Sequence, residues 1–88
     1  MLDEGRLAYI GRNNIIFFNE RNFEILKLLI DNKGKVVTVK DMALVLYGNI
    51  EVDVYIRDCI KQRMYLLRKK VKEEFEISTV RGLGYCIK

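Results

Sequence analysis

Between residues 53 and 72 the apolar side chains Ile56, Ile60, Met64, Leu67 and Val71 recur at steps of four, four, three and four. At 100° per residue they fall within about 80° of arc, which predicts a helix with one buried stripe. The opposite side carries Asp58, Lys61, Gln62, Tyr65, Lys69 and Lys72. Cys59, Arg63, Leu66 and Lys70 lie on one flank, and Arg57 and Arg68 on the other. Residues 57–72 hold seven cations against the single acid Asp58, a net of +6, whereas the remaining residues carry nine basic and eleven acidic side chains, a net of −2. The positive charge therefore sits on one amphipathic rod, and a cationic segment on a near-neutral body points to a polyanionic partner. A charge run by itself is more often a solvated helix face, with cations gathered at the C-terminus where the macrodipole favours them. The flanking segments distinguish the two readings.

Leu7–Ile10 and Ile15–Phe18 are short β-prone runs, and Gly11-Arg12-Asn13-Asn14 between them supplies turn residues, so a β-hairpin is expected. Asn19 is a candidate N-cap. Phe23, Leu26, Leu29 and Ile30 follow at helical spacing until Asn32-Lys33-Gly34, which predicts a first helix over Glu20 to Asp31. Val36-Val37 can form a short strand. Thr38-x-x-Asp41 has the pattern of a capping box, with Val39, Met42, Ala43 and Leu46 behind it and Gly48-Asn49 to end the helix. Asp53 can cap the third helix. Glu76–Val80 and Tyr85–Ile87 read as strands joined by the turn Arg81-Gly82-Leu83-Gly84. The 88 residues contain no proline, repeat or linker, and they suffice for one domain, taken as residues 1–88.

Composition removes whole classes of chemistry. The chain has no histidine, so it holds no Ser-His or Cys-His pair and no His-based zinc finger. The two cysteines, Cys59 and Cys86, are too few for a disulfide framework or a usual structural zinc site, and they read as reduced thiols. Cys59 reads as an inert small residue, because no neighbouring cysteine would resolve an oxidised form. Glu51, Asp53 and Asp58 stand where acids favour a helix N-terminus. Gly82-x-Gly84 opens no helix and so reads as a turn rather than a phosphate loop. The tyrosines read as core or rim aromatics. No enzyme activity, metal or cofactor is expected. No apolar run is long enough to span a bilayer and no export signal stands at the start, so a cytoplasmic protein without membrane or small-molecule partners is expected.

The element order makes an α+β domain: a β-hairpin, a helix, a short strand, two helices, then a second hairpin. Two helices across a short turn, followed by a hairpin with arginine at its tip, form a helix-turn-helix with a wing. A helix of this diameter fits the major groove of double-stranded DNA. The hairpin arginine can reach the adjacent minor groove. The expected function is sequence-specific binding through a helix at about 53–72 and a wing at about 76–88.

Four segments carry a family resemblance. Phe18 through Leu29 is similar to the first helix of the winged-helix effector domains of OmpR/PhoB-type response regulators. Gly34 through Gly48 resembles their second helix, with Tyr47 where an aromatic, usually Trp, precedes glycine. Ile60 through Val71, with Leu67-Arg68-Lys69-Lys70-Val71, resembles their recognition helix. Ser78-Thr79-Val80-Arg81-Gly82-Leu83-Gly84-Tyr85 resembles their T-V-R-G-x-G-Y wing. The likeness spans residues 15–88. It implies a winged helix-turn-helix of three helices with an N-terminal sheet and a C-terminal wing hairpin. It also implies Cys59, Gln62, Arg63 and Leu66 at the base edges, Thr79 and Arg81 at the minor groove and backbone, and Arg68, Lys69 and Lys70 beside phosphates. A homodimer on tandem or repeated sites is implied as well.

The chain departs from the family at Leu66, often arginine there, at Asp58, usually arginine, and in an N-terminal sheet that reads as one hairpin rather than four strands. The target sequence is therefore not carried over. Leu66 offers contact to a thymine methyl and Gln62 a pairing with adenine. A receiver domain needs more residues than this chain has, so the chain reads as an effector domain alone or a stand-alone winged helix; its start at Met1 favours the latter. The expected role is transcriptional regulation. The alternatives are an accessory factor in plasmid transfer, replication or phage functions, or a protein-interaction module using the Phe17–Phe18 face.

Overall fold

Three side-chain caps set where the helices begin. We describe the fold from a computed structural model over residues 1–48 and 51–88. Asn19 Oδ1 accepts the Asn22 backbone N–H at 2.8 Å and starts α1, Glu20–Asp31. At the start of α2, Val39–Tyr47, the Asp41 N–H donates to Thr38 Oγ1 at 3.1 Å. The Asp41 carboxylate accepts the Thr38 N–H in return at 3.2 Å, which completes the capping box. Asp53 Oδ1 accepts the Ile56 N–H at 2.8 Å and starts α3, Val54–Val71. Each cap satisfies a donor that the first helical turn leaves unpaired. Gly48 ends α2 in the left-handed region at φ 67°, and its N–H donates to the Leu44 carbonyl. Its sequence partner Asn49 lies outside the described residues.

The strands form two small antiparallel sheets. The first has three strands in the order β1 (Leu2–Asp3), β2 (Ala8–Ile10), β3 (Ile15–Phe17). The hairpin of β2 and β3 is where the sequence predicts it, but β1 is an addition. It pairs Leu2 with Tyr9 and Asp3 with Ala8, and Met1 exchanges backbone hydrogen bonds with Ile10. Two residues offer no alternation to read, so only backbone pairing reveals this strand. Leu7 is not in a strand as expected. It turns the chain at φ 52°, a conformation its side chain does not advertise.

The second sheet runs β4 (Val37–Thr38), β6 (Gly84–Ile87), β5 (Ile77–Val80), with β6 in the centre. β5 and β6 are the wing, and β4 ties it to the start of α2 through the pairs Val37–Tyr85 and Thr38–Gly84. Gly84 is needed here for space: a Cβ at that position would collide with the Val37 carbonyl oxygen. Gly82 instead supplies the left-handed turn at the tip, at φ 78°.

One apolar cluster joins all three helices to the wing. Phe23, Leu26 and Leu29 of α1 meet Met42 and Leu46 of α2, Ile60, Met64, Leu67 and Val71 of α3, and Ile77 and Ile87 of the wing. The stripe that defines α3 in the sequence is thus its buried face, with Ile56 half-buried at its N-terminal end. Phe18 is buried and its neighbour Phe17 exposed, as alternation along a strand requires. Burying a large apolar side chain stabilises by about 1.5–3 kcal/mol, so this cluster orients α3 and leaves its charged side outward.

Candidate nucleic-acid interface

With Ile60, Met64, Leu67 and Val71 turned inward, the helix period places Asp58, Lys61, Gln62, Tyr65, Leu66 and Lys69 on the outside of α3, and all six are exposed. Gln62 borders two shallow depressions. One is shared with Asp58, Lys61 and Tyr65, the other with Cys59, Arg63 and Leu66 of α3, Asn19 at the cap of α1, Asn22 of α1, and Tyr47 of α2. Lys69 Nζ lies 4.9 Å from the centre of the Tyr65 ring, one helical turn away. The ion pairs Arg6–Asp3 and Lys27–Glu4 lie at the N-terminal sheet and α1 rather than on α3. The cluster Arg68-Lys69-Lys70 occupies the last turn of α3, where the helix dipole adds to its stability.

The wing lies beside this helix. A groove between them is lined by Arg57 and Lys61 of α3 and by Thr79, Val80 and Arg81 of the wing, and Lys40 stands in an adjoining depression at the start of α2. Arg81 is exposed at the tip, followed by Leu83, which is 58% exposed. Beyond its pairing with β4, two contacts hold the hairpin in place. The Val39 N–H, at the start of α2, donates to the Leu83 carbonyl at 3.2 Å. Arg68 Nη2 donates to Thr79 Oγ1 at 2.6 Å, and the same guanidinium lies 5.9 Å from the centre of the Tyr85 ring.

The nine residues singled out from the sequence do not share one environment. Gln62, Leu66 and Lys69 face outward from α3, and Thr79 and Arg81 are exposed on the wing. Lys70 is exposed, but its ammonium sits 5.1 Å from the centre of the Phe18 ring. Arg63 and Arg68 are half-buried and committed within the protein: Arg63 Nη1 donates to Asn22 Oδ1 at 2.8 Å, and Arg68 to Thr79. The Nε of each arginine is buried without a hydrogen-bond partner among the described residues. Cys59 is half-buried rather than outward-facing. A side-chain hydrogen bond with Cys59, together with repulsion between the two anions, raises the Tyr55 phenol above its ordinary pKa.

Lys40, Arg57 and Lys61 line the groove without having been assigned to the site from the sequence. Arg57 and Lys61 belong to the basic run, but only the placement of the wing brings them to a groove. Asn22 and Tyr47 join the second depression, and Arg21 lies 5.3 Å from the centre of the Tyr47 ring. No sequence spacing links these residues to α3, since their approach depends on how α1 and α2 pack.

Three helices, a cationic third helix turned outward and a tethered hairpin beside it define a winged helix-turn-helix domain of the transcription-regulator class. The family described as "Transcriptional regulatory protein, C terminal" matches residues 13–87, and the chain belongs to it. A comparison with curated proteins finds no match. Among solved structures, the DNA-binding domain of Bacillus subtilis CssR is similar at 26% identity with a TM-score of 0.83, covering 100% of this chain and 98% of that one. The DNA-binding domain of CpxR from E. coli has 23% identity and a TM-score of 0.81, over 98% and 86% of the two chains. The Klebsiella pneumoniae RstA DNA-binding domain, solved in complex with RstA box, has 20% identity and a TM-score of 0.78, over 98% and 87%. Among the described residues, no helix is long and apolar enough to cross a membrane.

Proposed function

We infer that residues 1–88 act as one unit that binds double-stranded DNA sequence-specifically and regulates transcription in the cytoplasm. The outward face of α3 enters the major groove, and the Arg81 tip of the wing enters the minor groove. The observation that carries this reading is the tether between the two: Arg68 of α3 bonded to Thr79 of the wing, beside a groove lined by Arg57, Lys61 and Arg81. A rigid pair of elements with cations between them follows the phosphates on both sides of one groove wall. Gln62 and Leu66 face the base edges, with Cys59 at their margin. Lys69 and Lys70 neutralise phosphates, and Arg63 and Arg68 act by holding the reading surface. This is a binding role without catalysis, cofactor or metal.

Family membership and the solved DNA-binding domains of CssR, CpxR and RstA support the reading. Fluorescence anisotropy with labelled genomic fragments tests it across a salt series. Four to six phosphate contacts give a slope of about −4 to −5 in log affinity against log salt. Absence of binding at low salt would defeat the proposal. Two copies on repeated half-sites would appear as a two-to-one stoichiometry on one duplex and one-to-one on a half-site. The outer face of the N-terminal sheet exposes Ile15 and Phe17, which gives such copies an apolar surface to share.

A further inference from the structure

We propose that α3 reads thymine methyl groups and adenine edges rather than guanine, and that Leu66 sets this preference. The proposal rests on the DNA-binding reading above and specifies the kind of duplex that the site prefers. Guanine is most often read by arginine or lysine, whose paired donors match its O6 and N7 acceptors. The arginine nearest the middle of α3 is Arg63, and it turns away. Its Nη1 is 2.8 Å from Asn22 Oδ1 on α1, and the residue is half-buried. Arg68 is likewise taken up by Thr79 on the wing. Among the lysines, Lys61 stands at the wing-side edge of the outward face, bordering both the wing groove and the depression with Asp58, Gln62 and Tyr65, and Lys69 lies over the Tyr65 ring toward the helix end.

The centre of the outward face is therefore Asp58, Gln62, Tyr65 and Leu66. Tyr65 is 57% exposed and Leu66 55% exposed, on either side of Gln62. Two large apolar surfaces on the face of a DNA-reading helix gain little from phosphates and much from burial against a methyl group. In the major groove, thymine alone among the four unmodified DNA bases presents one. A glutamine between them offers a donor and an acceptor, the pair that adenine N7 and N6 require. Asp58 accepts hydrogen bonds but donates none when ionised, so it opposes the two acceptors of guanine; it suits the exocyclic amine of adenine or of cytosine alike, and the choice between these two falls to Gln62 and Leu66.

The test begins with selection of randomised duplexes by the full chain. The selected site is then remade with deoxyuridine in place of thymidine, which removes each methyl while keeping the pairing. We expect half-sites rich in A·T under α3, and about fourfold weaker binding for each contacted methyl removed, which corresponds to ~0.8 kcal/mol per buried carbon. Leu66→Ala, at an exposed position, should lose most of the difference between the two duplexes. Equal binding of the thymidine and deoxyuridine duplexes by the unaltered chain overturns the proposal. So does a guanine-centred half-site whose preference disappears in Arg63→Ala. Failure to enrich or bind any duplex at low salt overturns the DNA-binding reading itself, and is recognised by the absence of a salt-dependent complex with any probe.

Discussion

Arg68 Nη2 lies 2.6 Å from Thr79 Oγ1, so the last turn of α3 is bonded to the first strand of the wing. The geometry has a chemical consequence. Because the Thr79 hydroxyl accepts from the guanidinium, its own hydrogen is free to donate to a phosphate oxygen, and the adjacent charge strengthens it as a donor. On the proposed interface Arg68 would contribute to DNA binding through Thr79 as well as through its own charge. Arg68→Gln, Thr79→Val and the double variant should show a coupling of about 0.5–1.5 kcal/mol in a double-mutant cycle on stability, and the same cycle on DNA affinity should show coupling of the same sign. Strictly additive losses in both would show that the contact joins nothing.

Arg81 stands exposed at the wing tip and supports no part of the core. Arg81→Ala should leave thermal unfolding within about 0.5 kcal/mol of the parent. Its salt slope for DNA should become shallower by about 0.9, the loss of one phosphate-scale contact. Anisotropy titrations at three or more salt concentrations measure both affinity and slope.

The two wing glycines should respond differently to alanine. Gly82→Ala forces a side chain into the left-handed region at φ 78°, which costs roughly 1–2 kcal/mol and leaves the strands paired. At Gly84 the added Cβ would strike the Val37 carbonyl, so β4 must separate from β6 and the wing loses its attachment to α2. Urea unfolding should rank Gly84→Ala well below Gly82→Ala, and amide exchange at Tyr85 should accelerate only in the former.

Lys27 bonds the Glu4 carboxylate, joining α1 to the turn after β1, and this partner raises the lysine pKa above its ordinary 10.5. A raised pKa in the folded state means that the pair's contribution is fully present below pH 10.5 and fades as the pH climbs through the raised value. The parent chain should therefore lose more of its melting temperature between pH 9 and about 11.5 than Glu4→Gln does. The pair is exposed, so the difference should be small and should shrink further in high salt.

Much of this fold was legible because each helix carries its own instructions. Asn19, Thr38-x-x-Asp41 and Asp53 announce the helix starts, and the stripe from Ile56 to Val71 fixes which side of α3 is buried. The strand β1 and the turn at Leu7 were not legible, because a two-residue strand has no pattern and leucine gives no sign of a positive φ. The same boundary runs through the interface. That α3 is cationic follows from residue type and period. That Arg63 and Arg68 turn back into the protein does not, since their partners Asn22 and Thr79 stand 41 and 11 positions away in the sequence. A charge count treats every arginine as available, and packing decides which ones are.

The hydrogen bond from the Val39 amide to the Leu83 carbonyl fastens the fingertip of the wing to the start of α2, while its opposite strand is fastened to α3. A finger pinned at these points, and paired to β4 as well, cannot swing to accommodate groove walls of varying separation. Whatever adjustment docking demands falls on the duplex, so stretches that narrow or bend readily would be favoured even where no side chain touches a base.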